Sequence, residues 1–183
     1  ELSRTKKLAD AALAALGTRD DIAVTELCLM DEPLQYFSEG FFAQRERLLA
    51  AKELDHPRFR YAHQFAEADA IVIAAPFWDL AFPALLKVYI ENVSVEGITF
   101  GCNASGCFGI CRAERMLFLT TRGGSYDGAP DEMGARYLEA LCGFFGIPRF
   151  DCVAADGLDL GLRPVEEILA EAKSKAAALA AAL

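Results

Sequence analysis

The sequence predicts an α/β fold, a doubly wound parallel sheet with helices on both faces. Two observations predict it. The runs "ADAIVIAAP", "ERMLFLTT" and "RFDCVAAD" are strand-length and almost continuously apolar, the pattern of strands buried on both faces. Segments with apolar residues at helical spacing separate them, and strands that alternate with helices form parallel sheets through crossover connections.

The elements follow in order. Leu8, Ala11, Ala12 and Leu16 repeat at helical spacing between Ser3 and Leu16, and Gly17 ends the pattern, so a helix packs there by one face. "DIAVTELCLM" alternates as a strand. Residues 33–54 read as a loop carrying a charged helix, and His56-Pro57 breaks it before a second helix from Arg58 to Ala68. A buried strand, Ile71 to Ala75, then runs through Pro76 into a helix over 82–93. "GITFGCNASGCFGIC" reads as a hairpin or an ordered excursion about Asn103-Ala104-Ser105-Gly106. After the strand that ends at Thr121 come a glycine-rich loop to Pro130, a helix from Asp131 to Phe145 closed by Gly146, a further strand, and a helix from Pro164 to Leu183 with proline in its first turn. No repeat divides the chain, so residues 1–183 form one domain. A doubly wound sheet places its first strand in the middle, so a further strand and the front of a phosphate loop are expected upstream of Ser3.

Composition excludes several classes. A net charge of −9 opposes nucleic-acid binding, which depends on Lys and Arg at phosphates. Neither a membrane span nor a signal-peptide core is visible, and a cytoplasmic protein is expected. The six cysteines sit in a long, core-rich chain and are expected as free thiols. Cys102, Cys107 and Cys111 match no zinc or iron–sulfur spacing, so no metal is expected. His56 and His63 read as surface or capping residues, and no acid/base pair or nucleophile triad can be built from them.

Ligands of such sheets sit beyond the C-terminal strand ends. The loop from Pro76 to Leu80 puts Phe77 and Trp78 there, where aromatics can lie against a planar ligand; the alternative is that both tuck into the core. The loop "TTRGGSYDG" puts Gly123 and Gly124 at the next strand end, where a backbone without side chains can approach a ring or phosphate; the alternative is a plain turn.

Taken together, "AAPFWDLAFPALLKVYIENV", "GITF", "LTTRGGSYDGAP" and "YLEALCGFFGI" resemble the flavodoxin-like FMN-dependent NADH azoreductases and the related NAD(P)H:quinone oxidoreductases, from about Ser3 to the C-terminus, which implies a flavodoxin-like form of the doubly wound sheet. The resemblance implies FMN as cofactor, NADH or NADPH as co-substrate, and a quinone or azo acceptor reduced by ping-pong hydride transfer in a homodimer. It implies that Pro76, Phe77, Trp78, Asp79 and Leu80 wrap the flavin ring and that Thr121, Arg122, Gly123 and Gly124 close on its polar edge. Ser3 and Thr5 match the end of a phosphate loop, although Ser3 could simply cap its helix. Phe100, Phe144 and Tyr126 fall at or beside substrate positions, with core packing as the alternative for the two phenylalanines and a solvated loop for the tyrosine. The chain departs from the pattern at Asp79, where many relatives carry Asn, and at Cys102, where they carry an aromatic residue. A flavodoxin-type electron carrier and a flavin-free regulatory relative are the competing readings.

Overall fold

The computed structural model describes residues 3–183. Its centre is a parallel sheet of β1 (Ala70–Ala74), β4 (Arg115–Thr121) and β5 (Phe150–Ala155) in the order β1-β4-β5. Val72 faces Leu117 across the first ladder, and Leu119 faces Val153 across the second.

β4 explains the layers. Its side chains alternate, and every residue from Met116 to Thr121 is buried, so each face must be covered by apolar helix surface. Leu117 and Leu119 join Leu8 and Ala12 of α1 (Arg4–Leu16) and Leu169, Ala172 and Ala176 of α6 (Val165–Ala180). Met116 and Phe118 face the other way. They pack with Phe65 of α3 (Arg60–Glu67), Leu86 and Ile90 of α4 (Ala84–Val93), and Leu138 and Phe145 of α5 (Met133–Phe145). A smaller cluster joins Leu48 of α2 (Glu39–Ala50) to Phe59, Ala62, Val95 and Ile98.

Helix ends follow their chemistry. Gly146 closes α5 in the left-handed conformation, φ 80°, which glycine adopts without a Cβ penalty. Pro164 precedes α6, whose first turn carries Glu166 and Glu167 against the positive end of the helix dipole. A short 3-10 turn, Pro57–Phe59, precedes α3, and His56 Nδ1 accepts the Arg58 N–H at its start.

Two expectations need correction. "DIAVTELCLM" is not a strand: residues 22–28 have no regular structure and pair with no other segment among the described residues. Ile22, Leu27 and Leu29 are partly buried against the two main clusters, but Ile22 and Leu27 fall on opposite phases of the alternation and Val24 is 48% exposed, so the alternation does not mark a buried face here. The expected upstream strand lies outside the described residues. The second correction concerns the thiols. Cys102 on β2 (Phe100–Asn103) faces Cys107 on β3 (Gly106–Gly109) directly across the antiparallel hairpin, and the two are joined as a disulfide with their Cα atoms 4.0 Å apart. Only the hairpin register brings them opposite one another. The other four cysteines are free.

Candidate functional site

The site assembles at the C-terminal ends of β1, β4 and β5. Pairing between β1 and β4 continues past the strands, with Ala75 N–H donating to Leu119 O at 3.0 Å and Phe77 N–H to Thr121 O at 3.1 Å. Pro76 stands between these two donors, where the alternation of a strand turns its missing N–H away from β4. The chain then reverses at once. Trp78 and Ala81 exchange backbone hydrogen bonds of 3.3 and 2.8 Å, and Asp79 and Leu80 between them have φ of 50° and 66°. Two consecutive left-handed residues define a type I′ turn. Neither is glycine, so the turn carries backbone strain of roughly 1–3 kcal/mol per residue, the kind of cost that concentrates at functional sites. The reversal leaves Trp78 59% exposed and Leu80 43% exposed, which removes Trp78 from the core. The turn is tied to the start of α5 by Met133 N–H donating to Leu80 O at 2.9 Å.

Phe77 is half-buried against Tyr126, with ring centroids 4.5 Å apart, and the Arg122 guanidinium lies 5.5 Å from its centroid. Arg122 is only 4% exposed. It pairs with Glu132 at 3.1 Å and with Asp156 at 3.6 Å, so its side chain braces the loops and its backbone is what borders the site. Asp156 accepts the Tyr126 N–H, and Glu132 accepts the Ala135 N–H to cap α5. One buried cation therefore fixes three loops at once.

Gly123 and Gly124 are held from below by the loop after β5. Asp159 N–H donates to Gly123 O and Gly157 N–H to Gly124 O. A Cβ on Gly123 would meet Asp159 Oδ2 at 2.5 Å, and one on Gly124 would meet the Tyr126 ring at 2.8 Å. The N–H groups of Asp79, Leu80, Gly123 and Gly124 find no acceptor among the described residues. These donors on two facing loops fit the polar edge of a planar heterocycle such as a flavin, and the bare glycine backbone lets it approach.

Thr5, on the first turn of α1, is buried, and its hydroxyl lies 2.6 Å from that of Thr121. That bond brings the start of α1 to the end of β4. It also engages the Thr5 hydroxyl inside the protein, leaving Ser3, exposed and with no side-chain cap bond, as the free hydroxyl at the helix start. Phe100, at the start of β2, and Phe144 of α5 pack with tilted rings, centroids 4.6 Å apart, and both are half-buried. Among the described residues no aromatic contact joins them to the Phe77–Tyr126 pair. Sequence reasoning passed over the loop after β5, with Asp156 and Asp159, and the brace Glu132. Asp156-Gly157 directly after a buried strand was the available signal, since Asp-Gly marks a turn. Among the described residues no group of acidic, histidine or cysteine side chains is arranged to hold a metal.

Fold and site together define a flavodoxin-like protein. The profile of the Flavodoxin_2 family, described as a flavodoxin-like fold, matches residues 1–180, and the chain belongs to that family. It is 38% identical over 182 residues to FMN-dependent NADH:quinone oxidoreductase 2 of Clostridium acetobutylicum, covering 96% of this chain and 89% of that one. It is 49% identical over 121 residues to the FMN-dependent NADH:quinone oxidoreductase of Clostridium perfringens. That second match covers 66% of this chain and spans 61% of the relative's length. An azoreductase crystal structure from Bacillus anthracis superposes with a TM-score of 0.88 at 28% identity, covering 99% of this chain and 92% of that one.

Proposed function

We propose that the protein is an FMN-dependent NAD(P)H oxidoreductase that reduces quinones or azo compounds. The observation that carries this reading is the convergence on Thr121. Its hydroxyl meets Thr5 at the helix start, and its carbonyl takes the Phe77 N–H, so one residue joins a phosphate-type helix terminus to the two loops that border a planar site. The names of the relatives support FMN, a nicotinamide nucleotide and a quinone acceptor.

FMN, when bound, would supply the hydride chemistry between a reduced nicotinamide nucleotide and the acceptor. The chain supplies position. The amides of Gly123 and Gly124 and of Asp79 and Leu80 would hold the ring's polar edge, with Trp78 and Phe77 beside its apolar surface and Ser3 at the phosphate. Tyr126, packed on Phe77, stands as the candidate hydrogen-bond donor to nucleotide or acceptor. The order of events is two-step, with oxidised nucleotide leaving before acceptor enters.

We further infer a homodimer. Trp78, Leu80 and Met133 at the site, and Phe108 and Ile110 on the hairpin, are between 43% and 59% exposed, and a second copy of the chain would cover such apolar surface. No described helix is long and apolar enough to cross a membrane. The reading places the enzyme in the cytoplasm, with its reduced nucleotides.

The test is an anaerobic absorbance titration of the full-length protein. A yellow protein bleached by NADH or NADPH and restored by a quinone, with parallel steady-state lines as both substrates vary, is expected. Intersecting lines exclude the two-step order, a flavin untouched by nucleotide indicates an electron carrier, and a protein that takes up no FMN overturns the reading.

A further inference from the structure

The hairpin of β2 and β3 stands apart from the parallel sheet, and its Cys102–Cys107 disulfide takes no part in the site described above. The base of the hairpin is anchored. Gly109 sits so close to the end of α5 that a Cβ there would lie 1.8 Å from the Phe145 carbonyl carbon, Cys111 N–H donates to Phe145 O, and Phe100 stacks on Phe144. The tip is not. Every residue from Cys102 to Phe108 is exposed, and none belongs to a core cluster. Within it the Asn103 side chain accepts the Ser105 N–H, a local turn bond that needs nothing else from the fold.

We propose that Cys102 and Cys107 form a thiol–disulfide exchange site for low-molecular-weight thiols and disulfides, and that its oxidation state sets the order of the hairpin tip. Both sulfurs belong to exposed residues, so a thiolate can reach them without opening the core, and access is a first requirement of exchange. The bond closes a loop with a sequence separation of 5. Loops this short gain the least from cross-linking, so global folding does not hold the bond closed. A two-stranded ribbon without a third strand is marginal by itself, so the tip depends on the cross-link far more than the sheet does. Cys111 and Cys142 contrast with the pair, since burial pushes their thiols up to about 11 and about 12. If the cytoplasmic location proposed above holds, a disulfide there is of the transient, redox-responsive kind.

The chemistry balances as ordinary exchange. An incoming thiolate bonds to one sulfur and releases the other cysteine as thiolate. A second thiol then displaces the mixed disulfide, leaving two protein thiols and one small-molecule disulfide. Oxidation is the reverse, with a small disulfide as the two-electron oxidant.

The test uses the purified, flavin-loaded protein. Accessible thiols are first blocked with N-ethylmaleimide, the native protein is then treated with dithiothreitol, and new thiols are mapped with iodoacetamide by mass spectrometry. Two new labels are expected, at Cys102 and Cys107, with circular dichroism unchanged. Glutathione disulfide added before the second label should abolish both, and Cys107→Ser should carry one glutathione on Cys102. Labelling of the pair in the first step would mean that no bond is present, and labelling only after unfolding would mean a locked structural bond; either overturns the exchange site. Limited subtilisin cleavage between residues 102 and 107 should be about tenfold faster in the reduced protein and in the Cys102→Ser/Cys107→Ser variant than in the oxidised protein. Equal rates would remove the claim about order. Because none of these readouts is turnover, they stand or fall separately from the proposed oxidoreductase activity.

Discussion

At the scale of single residues, Asp79 and Arg122 show how charge is used on opposite sides of the Phe77 loop. Asp79 is exposed in a left-handed turn, a conformation that Asn and Asp tolerate better than other side chains. In the proposed complex its carboxylate would lie beside the flavin's polar edge, where reduction adds negative charge. At ~6 Å and an effective dielectric of ~20, like-charge repulsion is roughly 3 kcal/mol, or about 60 mV for a two-electron couple, before solvent lowers it. Asp79→Asn keeps the turn and should raise the midpoint potential by tens of millivolts (order of magnitude); a spectroelectrochemical titration showing no rise would place the carboxylate away from the ring. Arg122 is the reverse case, a cation inside the protein. Arg122→Met leaves the Glu132 and Asp156 carboxylates, 7% and 19% exposed, without their counter-charge. The expected loss is ~3–5 kcal/mol, read as a thermal midpoint lower by about 10 °C. Adding Glu132→Gln should recover part of it by removing one uncompensated charge, and a double variant no more stable than the single one would show that packing, not charge, dominates.

At the scale of elements, the glycine-rich loop is separable from the fold that carries it. Neither Gly123 nor Gly124 has a left-handed φ, and what a side chain would strike is the exposed Asp159 carboxylate or the Tyr126 ring, both able to move. Gly123→Val/Gly124→Val should therefore fold, with unchanged far-ultraviolet circular dichroism, yet bind FMN at least about tenfold more weakly because the added side chains push on Asp159 and Tyr126 and shift the loop whose amides face the ring. Weak binding accompanied by loss of helix signal would instead make the loop a folding element. Gly109 and Gly146 belong to the other category: each lies within a few ångströms of the other's backbone, so they govern the docking of hairpin on helix.

At the scale of the whole molecule, buried thiols link stability to alkaline pH. Burial raises Cys111 and Cys142 from 9.0 to about 11 and about 12. Below pH 9 both are protonated in the folded and the unfolded chain, and their neutral burial is fully favourable. Above it the unfolded chain releases protons that the folded chain keeps, so stability falls as pH rises from about 9 through the folded values. Thermal midpoints measured between pH 8 and pH 11 in ~0.1 M salt should fall, and Cys142→Ala should flatten part of the fall. An identical slope in the variant would assign the effect to other groups.

The sequence alone determined the elements whose signal is local. Continuous apolar runs specified β1, β4 and β5 to within a residue or two; the reason is plainest for β4, which is buried on both faces and so needs uncharged side chains that pack on each. Helical periodicity, Gly146 and Pro164 specified α5 and α6 for the same reason. The exposure of Trp78 and the placement of the glycine loop were legible because a strand end in a parallel sheet has one place to go. What depends on distant partners was decided only in three dimensions. "DIAVTELCLM" alternates, but Val24 is exposed while Ile22, Leu27 and Leu29 are partly buried, because distant packing and not the local pattern decided which side chains the segment buries. Thr5 reads as a helix-start hydroxyl until Thr121 is brought to it, and Arg122 reads as part of the loop that closes on the ring until Glu132 and Asp156 take its side chain inward. Cys102 and Cys107 are five residues apart in any conformation, and only the paired hairpin, with Asn103 opposite Gly106, sets their side chains across from one another so that they can bond.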